Sequence, residues 1–436
     1  MKLRIFIIVV SGLVLYTLII TGLTRVVYDN PNQGKDKIGN TLSSIIYNTS
    51  EASRKVKSYF SKPKFLIRNT TLKNGFQYYS KDIENYPKLL VSFKTKPFES
   101  KIQLLDIPNG RIIKEWNPDS KEITRRSYNP DNPNTFSKGA DINYEHPVLL
   151  KDSSIVFSTG YSTVRIDAKS AIVWVNNTIN AHHSVELNSK GNIYVPGNAA
   201  QASKHKFLPE NFEEYATNLK DDLIVELDVE TGKVISSKSV LSILEENGLE
   251  YLAYQNGTMI TDPIHLNDIQ PALSDGLFWA KDDLLLSCRN LSTLFIYRPS
   301  TNKIVWFKKG PWYAQHDPHF LETDKIVVFG NDVILNYAKN RIFKNSYHFI
   351  NDTNEIYVYD FTTDSVSKPY TMLLQKEKIK TPTQGNCTIL ANGDIFVEET
   401  DRGRIIFGDT LNKKIEFARR INEEYITALN WSRIIN

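Results

Sequence analysis

From about residue 75 to the end, the chain is written in apolar or alternating runs of four to six residues. They are rich in Ile, Val, Phe and Tyr and are bounded by Asn, Gly, Asp, Ser and Pro. That is the patterning of short β-strands. Long helical periodicity is nearly absent, apart from Asn211 to Asp222, which reads as an inserted helix or loop. One signature recurs six times: a strand ends near an aspartate, a polar turn follows, and the next strand often carries a tryptophan. The copies begin at Asp106 (DIPNGRIIKEW), Asp167 (DAKSAIVW), Asp228 (DVETGKVI), Arg298 (RPSTNKIVW), Asp360 (DFTTDSVS) and Asp409 (DTLNKKIEF), at spacings of 61, 61, 70, 62 and 49 residues. Their turns carry the residues tight hairpins require. From the second copy onward a second landmark precedes the hairpin: EHPVLLKDSSIVFS, HHSVELNSKGNIYV, KDDLLLS, QHDPHFLETDKIVVF and QGNCTILANGDIFVE. Repeated sets of short strands without intervening helices predict a closed all-β array, a six-bladed β-propeller over residues 67–436. The last segment, Glu424 to Ile435, is expected to close the ring on the first blade.

The N-terminus follows a different pattern. Ile5 to Leu23 is a run of nineteen residues without charge, preceded by Lys2 and Arg4. About 20 apolar residues span a bilayer core as a helix, and the flanking bases favour a cytoplasmic N-terminus. The fold class expected is therefore all-β, a six-bladed β-propeller preceded by a single N-terminal transmembrane helix (residues 1–28). A cleaved signal peptide is the rival, but no A-x-A cleavage pattern follows the apolar run. Either way the propeller is expected on the extracytoplasmic side. Residues 29–66 read as a polar juxtamembrane spacer, with a patchy helical spacing at Ile38, Leu42, Ile45 and Ile46.

Composition narrows the partners. The 53 basic and 49 acidic residues leave a charge of +4, too small for a nucleic-acid or strongly acidic partner. Two cysteines, Cys288 and Cys387, make neither a disulfide framework nor a thiolate metal cluster.

Candidate chemistry lies with the eight histidines. His183 stands ten residues before Ile193, His316 ten before Ile326, and Gly385 ten before Ile395. His146 is nine before Ile155, and His265 opens the matching entry PIHLNDIQPAL. Equivalent positions of propeller blades lie at equal radius and depth, so these side chains are expected to converge at the channel mouth. One such histidine alone reads as a surface residue. Several, together with Arg289, point to a shared polar site. A guanidinium repels a cation, so no metal is expected, and no cofactor; Arg289 suits an anion held through two parallel hydrogen bonds.

TDPIHLNDIQPA, LLLSCRNLSTLFIY, KIVWFKKG and QHDPHFL, in that order, resemble the bacterial arylsulfate sulfotransferase family, and NGFQYYSKDIENYPKLL and IPNGRIIKEW resemble its first blade. The likeness covers about residues 70–436. It implies a six-bladed propeller that moves a sulfuryl group from an aryl sulfate ester to a phenol through a sulfated histidine, without a nucleotide donor. It also implies His316 as the sulfated nucleophile, His265 and Asn267 as the His-x-Asn pair, and Arg289 as the anion-binding arginine. The upstream histidine is one of His182 and His183, and the repeat register favours His183. A family form with an N-terminal β-sandwich uses it to dimerise; no such segment is read here, so the resemblance does not carry that dimer over. The loop between Arg289 and His316 also looks short.

The residues themselves fit such a reaction. Arg289 holds the sulfate oxygens, neutral His316 attacks sulfur in line, and His265 donates to the leaving oxygen with Asn267 orienting it. Asp317 and Asp268 adjoin their histidines or lie on the same strand, and alternation turns strand neighbours to opposite faces. The same reasoning separates Cys288 from Arg289. His319 is expected to face outward, and His205 and His348 to be solvated. Trp312 and Tyr313 either stack on an aryl ring or pack the rim. Competing readings are a non-catalytic, membrane-anchored propeller binding a sulfated or carboxylated ligand, a quinone-dependent dehydrogenase-like propeller, and an assembly scaffold.

Overall fold

The computed structural model describes Tyr16 and residues 65–130, 140–199, 205–208, 219–257, 260–335 and 347–436. The expected helix over 5–23, apart from Tyr16, the spacer up to residue 64 and most of the 211–222 insertion lie outside the described residues. Among the described residues no helix is long and apolar enough to cross a membrane.

Among the described residues, six antiparallel sheets of four or five strands form the blades. From the innermost strand outward, blade 1 is Arg433–Ile435, Lys88–Lys96, Glu99–Asp106 and Ile112–Trp116. Blade 2 is Glu145–Leu149, Ile155–Ser158, Thr163–Ile166 and Ile172–Asn176. Blade 3 is Glu186–Leu187, Ile193–Asn198, Asp222–Leu227 and Val234–Ser239. Blade 4 is Leu266–Pro271, Leu284–Cys288, Thr293–Arg298 and Lys303–Lys309. Blade 5 is His316–Leu321, Lys325–Gly330, Glu355–Asp360 and Ser365–Ser367. Blade 6 is Asn386–Ile389, Ile395–Glu399, Arg404–Gly408 and Lys413–Ala418. The ring closes as expected: the C-terminal strand pairs with Lys88–Leu90, so blade 1 holds both ends of the propeller. NGFQYY, which resembles a first blade, instead supplies Gly75–Tyr78 as a fifth strand on the outer edge of blade 6.

All six repeated turns join the third and fourth strands of a blade. The aspartate is there because its carboxylate accepts backbone N–H groups of its own turn. Asp167 takes those of Lys169 and Ala171, Asp228 that of Thr231, Asp360 that of Thr363, and Asp409 those of Leu411 and Asn412. Arg298 cannot accept and forms a fork with Asp283 instead, at 2.8 and 2.7 Å. The tryptophans tie blades together. Trp116 of blade 1 donates to Ser153 O of blade 2, and Trp174 of blade 2 donates to Val229 O of blade 3.

The core is a set of six apolar layers, each between neighbouring blades. Alternation along one strand serves two layers: Leu89 and Val91 face blade 6, and Leu90 faces blade 2. Burial on both faces explains why the second strands read as unbroken apolar runs. Among the described residues, three short helices, Ser120–Ser127, Val240–Glu246 and Thr371–Glu377, follow the outer strands of blades 1, 3 and 5. They are too short to show in the periodicity.

Candidate active site

Each inner strand is entered through a residue in the left-handed region: His146 (φ 52°), His183 (57°), His265 (52°), Asp317 (49°), Gly385 (86°) and Trp431 (69°). Such backbone costs about 1–2 kcal/mol at a non-glycine residue, and it gathers at functional sites. In blades 2, 4 and 5 the pairing register shifts at this point. A bulge there re-aims the side chains at the start of the strand.

These entries bring His183, His265 and His316, from blades 3, 4 and 5, around one point. The ring centroid of His183 lies 5.1 Å from that of His265 and 6.3 Å from that of His316. His182 follows behind, its Nδ1 2.8 Å from that of His183 and its Nε2 3.3 Å from Asp222. Trp431 packs on His146, with centroids 3.9 Å apart, and reaches within 6.2 Å of His316.

Arg289 is 5% exposed and makes no ion pair with any described residue. Its Nη1 donates to Asn290 Oδ1 at 3.0 Å. Its charge acts on His316: burial, then Arg289, hold that imidazole well below the usual histidine pKa. A buried guanidinium without a carboxylate is costly unless an anion completes it. Burial also drives down His183, reinforced by His182 and His265, and His146, reinforced by Arg433 and His316. The pocket thus holds neutral imidazoles beside one fixed cation.

His265 differs. Its Nδ1 lies 2.8 Å from Asp262 Oδ2. Burial pushes the Asp262 carboxyl up, but the bond to His265, the His265 charge and Lys220 hold it down to about 2. Asp262 is therefore an anion set against the His265 ring. That is the orienting task expected of Asn267, which instead donates to Gln315 O at 2.8 Å, tying blade 4 to the residue before His316. His316 has its own holder: Nδ1 lies 2.6 Å from Asn331 Oδ1. Sequence reasoning misses Asp262 and Asn331. Asp262 stands three residues before His265, at a spacing a loop allows; nothing local marks Asn331.

His319 and His205 depart from expectation, while Asp317, Asp268 and His348 meet it. His319 does not face outward: it bonds to Asp317 at 2.8 Å and lies among Asp268 and Glu186. The bulge between His316 and His319 breaks strict alternation. Asp317 and Asp268 hold neither His316 nor His265; they join Glu186 and Arg433, paired at 2.5 Å, in a buried charged cluster. His205 is not solvated: it is buried 3.5 Å from both Asp221 and Glu245. His348 is exposed. Trp312 is fully buried against Tyr357, while Tyr313 is half exposed at the rim. Cys288 and Cys387 are free and buried in different layers, and burial pushes both thiols up.

The His319 cluster carries a pH prediction. Against burial, Asp317 and then Asp268 raise His319 to about 9. A raised histidine stabilises the fold fully below its unfolded pKa of about 6.5, and the contribution is lost as pH rises toward 9. It amounts to about 3 kcal/mol. The stability gap between wild type and His319→Gln, measured by denaturant unfolding, should therefore shrink by about that amount between pH 6 and pH 9.5.

The arylsulfotransferase (ASST) family matches residues 146–421. The match takes in every residue of this pocket except Trp431 and the blade 1 closure. The chain belongs to the arylsulfotransferase family. No curated protein sequence matches it. Solved structures similar to this chain include the Neurospora crassa Pan2 WD40 domain, at 10% identity over 83% of this chain and 87% of that one, with a TM-score of 0.39. A Bacteroides caccae protein of unknown function shares 14% identity over 79% and 98%, with a TM-score of 0.40. A catalytically inactive variant of virginiamycin B lyase from Staphylococcus aureus shares 12% over 82% and 99%, with a TM-score of 0.38.

Proposed function

We propose that this protein transfers a sulfuryl group from an aryl sulfate ester to a phenolic acceptor, without a nucleotide, through a sulfated His316. The observation that carries the reading is a buried guanidinium, Arg289, without an ion pair among the described residues, whose charge acts on a neutral imidazole held by Asn331. One binds the anion; the other is a nucleophile that needs no activating base.

In the first half-reaction Arg289 draws the sulfate oxygens in, and the free nitrogen of His316 attacks sulfur. The N–S bond forms and the S–O(aryl) bond breaks. The leaving aryl oxide takes a proton from His265, whose ring Asp262 holds in place. In the second half the acceptor phenol gives its proton back to His265, and its oxygen displaces His316. Protons and charge balance over the cycle. His183, neutral and between the other two rings, packs and hydrogen-bonds the transferring group.

Turnover is tested with 4-nitrophenyl sulfate. Nitrophenol release should rise when phenol is added, and phenyl sulfate should appear without any nucleotide. Binding of the sulfate ester with no release would favour the non-catalytic, ligand-binding propeller.

The uncharged run after Lys2 and Arg4 supports a second proposal: residues 1–28 anchor the protein, with the propeller on the extracytoplasmic side. The full chain should sediment with membranes and be cut by protease added to spheroplasts. Recovery of intact, protected protein from the soluble cytoplasmic fraction would contradict this.

A further inference from the structure

We infer that Asn331 is a positioning residue that sets the tautomer of His316, so that Nε2 is the atom that receives the sulfuryl group and Nδ1 keeps its proton throughout. The inference rests on the sulfotransfer reading, and its test separates the two.

The assignment follows from which groups can only accept. The side-chain nitrogen of Asn331 donates to two backbone carbonyls at the entry of blade 6, Thr381 O at 2.9 Å and Gln384 O at 2.7 Å. A carbonyl oxygen has no proton to give, so the NH2 end of the amide must face them. The opposite end, Oδ1, then faces His316 Nδ1 at 2.6 Å. Oδ1 also only accepts, so Nδ1 carries the hydrogen. Burial and Arg289 keep the ring neutral, so it has one proton and the lone pair lies on Nε2.

The amide cannot turn over without losing three bonds, and it has little room to do so. Asn331 is 0% exposed. Asn354 braces it: its side-chain nitrogen donates to Asn331 O and to Thr381 O, both at 2.9 Å, and its oxygen accepts from Thr381 N at 2.6 Å. The backbone around the Thr381 carbonyl is thereby held in place itself.

The repeat shows that this is particular to blade 5. Asn331 stands two residues past Phe329, the residue paired with His316. In blade 4 the corresponding residue is Asn290, two past Cys288, which pairs with Leu266; its oxygen accepts from Arg289. In blade 2 it is Gly160, two past Ser158, which pairs with Glu145. Of these three, blade 5 alone sets an amide oxygen against an imidazole.

The chemistry gains in two ways. When Nε2 bonds to sulfur, the ring becomes a sulfo-imidazolium and its positive charge spreads to Nδ1–H. The bond to Asn331 Oδ1 strengthens as that charge develops, so it assists the transition state more than the ground state. His316 also releases no proton at any stage, which leaves the whole proton inventory of the cycle to His265.

Two measurements on the full-length protein test this. Long-range 1H–15N correlation of histidine-labelled wild type should show His316 protonated at Nδ1 and bare at Nε2. Asn331→Ala should lower kcat about 10–100-fold with little change in the KM for 4-nitrophenyl sulfate, because Arg289 is untouched. Asn331→Asp restores an acceptor and adds negative charge; it should recover rate relative to alanine and move the acid limb of the pH profile upward. A wild-type His316 with hydrogen on Nε2, or a folded Asn331→Ala variant at the wild-type kcat, overturns the inference. If Asn331→Ala fails to fold, the tautomer measurement still decides. Absence of any transfer by wild type would sink the sulfotransfer reading while leaving the tautomer result to stand or fall alone.

Discussion

Replacing His316 with alanine is expected to reduce nitrophenol release from 4-nitrophenyl sulfate by about 10⁴-fold or more, because it removes the nucleophile itself. The pocket would still bind the sulfate through Arg289, so a defect in kcat should far exceed any change in KM. Cys288→Ser should retain full activity. Cys288 lies in the apolar layer between blades 3 and 4, and burial holds its thiol protonated, so it has neither access nor charge for attack. A His316→Ala enzyme that turns over at the wild-type rate would contradict the assignment.

Replacing Arg289 with alanine is expected to cost about 10²–10³-fold in kcat/KM, the usual scale for losing a preorganised donor at the charge of the transition state. Two effects combine. The sulfate loses its cation, and His316 loses the neighbour that helps hold it neutral. With Arg289 gone, burial remains as the main depression of His316, so its pKa should rise and the acid limb of the pH profile should move up. Arg289→Lys should recover only part of the loss, since a point charge lacks the planar fork. Kinetics from pH 5 to pH 9 check both effects; an unchanged kcat/KM in Arg289→Ala would remove the anion-binding role.

The blades are legible in the sequence because their markers are local. An aspartate that caps its own hairpin turn leaves a signature within five residues, and the turn recurs six times. The shared place of His183 and His316 before the second strand is equally readable, since each blade repeats one path from its entry loop to that strand. What cannot be read depends on partners far along the chain. Asn331 meets His316 because it is bonded to Thr381 and Gln384, 50 and 53 residues on. Period-two reasoning fails where it should fail, at a bulge. The left-handed Asp317 and the register shift after His316 turn His319 onto Asp317 and the Cys387 carbonyl of blade 6. His205 escapes for another reason. An insertion suggests solvent, yet Asp221 and Glu245 close around that ring.

In the proposed mechanism His316 carries the sulfuryl group between donor and acceptor. The measurement that tests it most directly is rapid mixing of wild-type protein with 4-nitrophenyl sulfate in the absence of acceptor, followed by intact mass and peptide mapping under non-acidic conditions. One added SO3 per chain is expected, located on His316, formed with a burst of nitrophenol and discharged when phenol is added. Nitrophenol release with no labelled chain, or a label on any other residue, would contradict it.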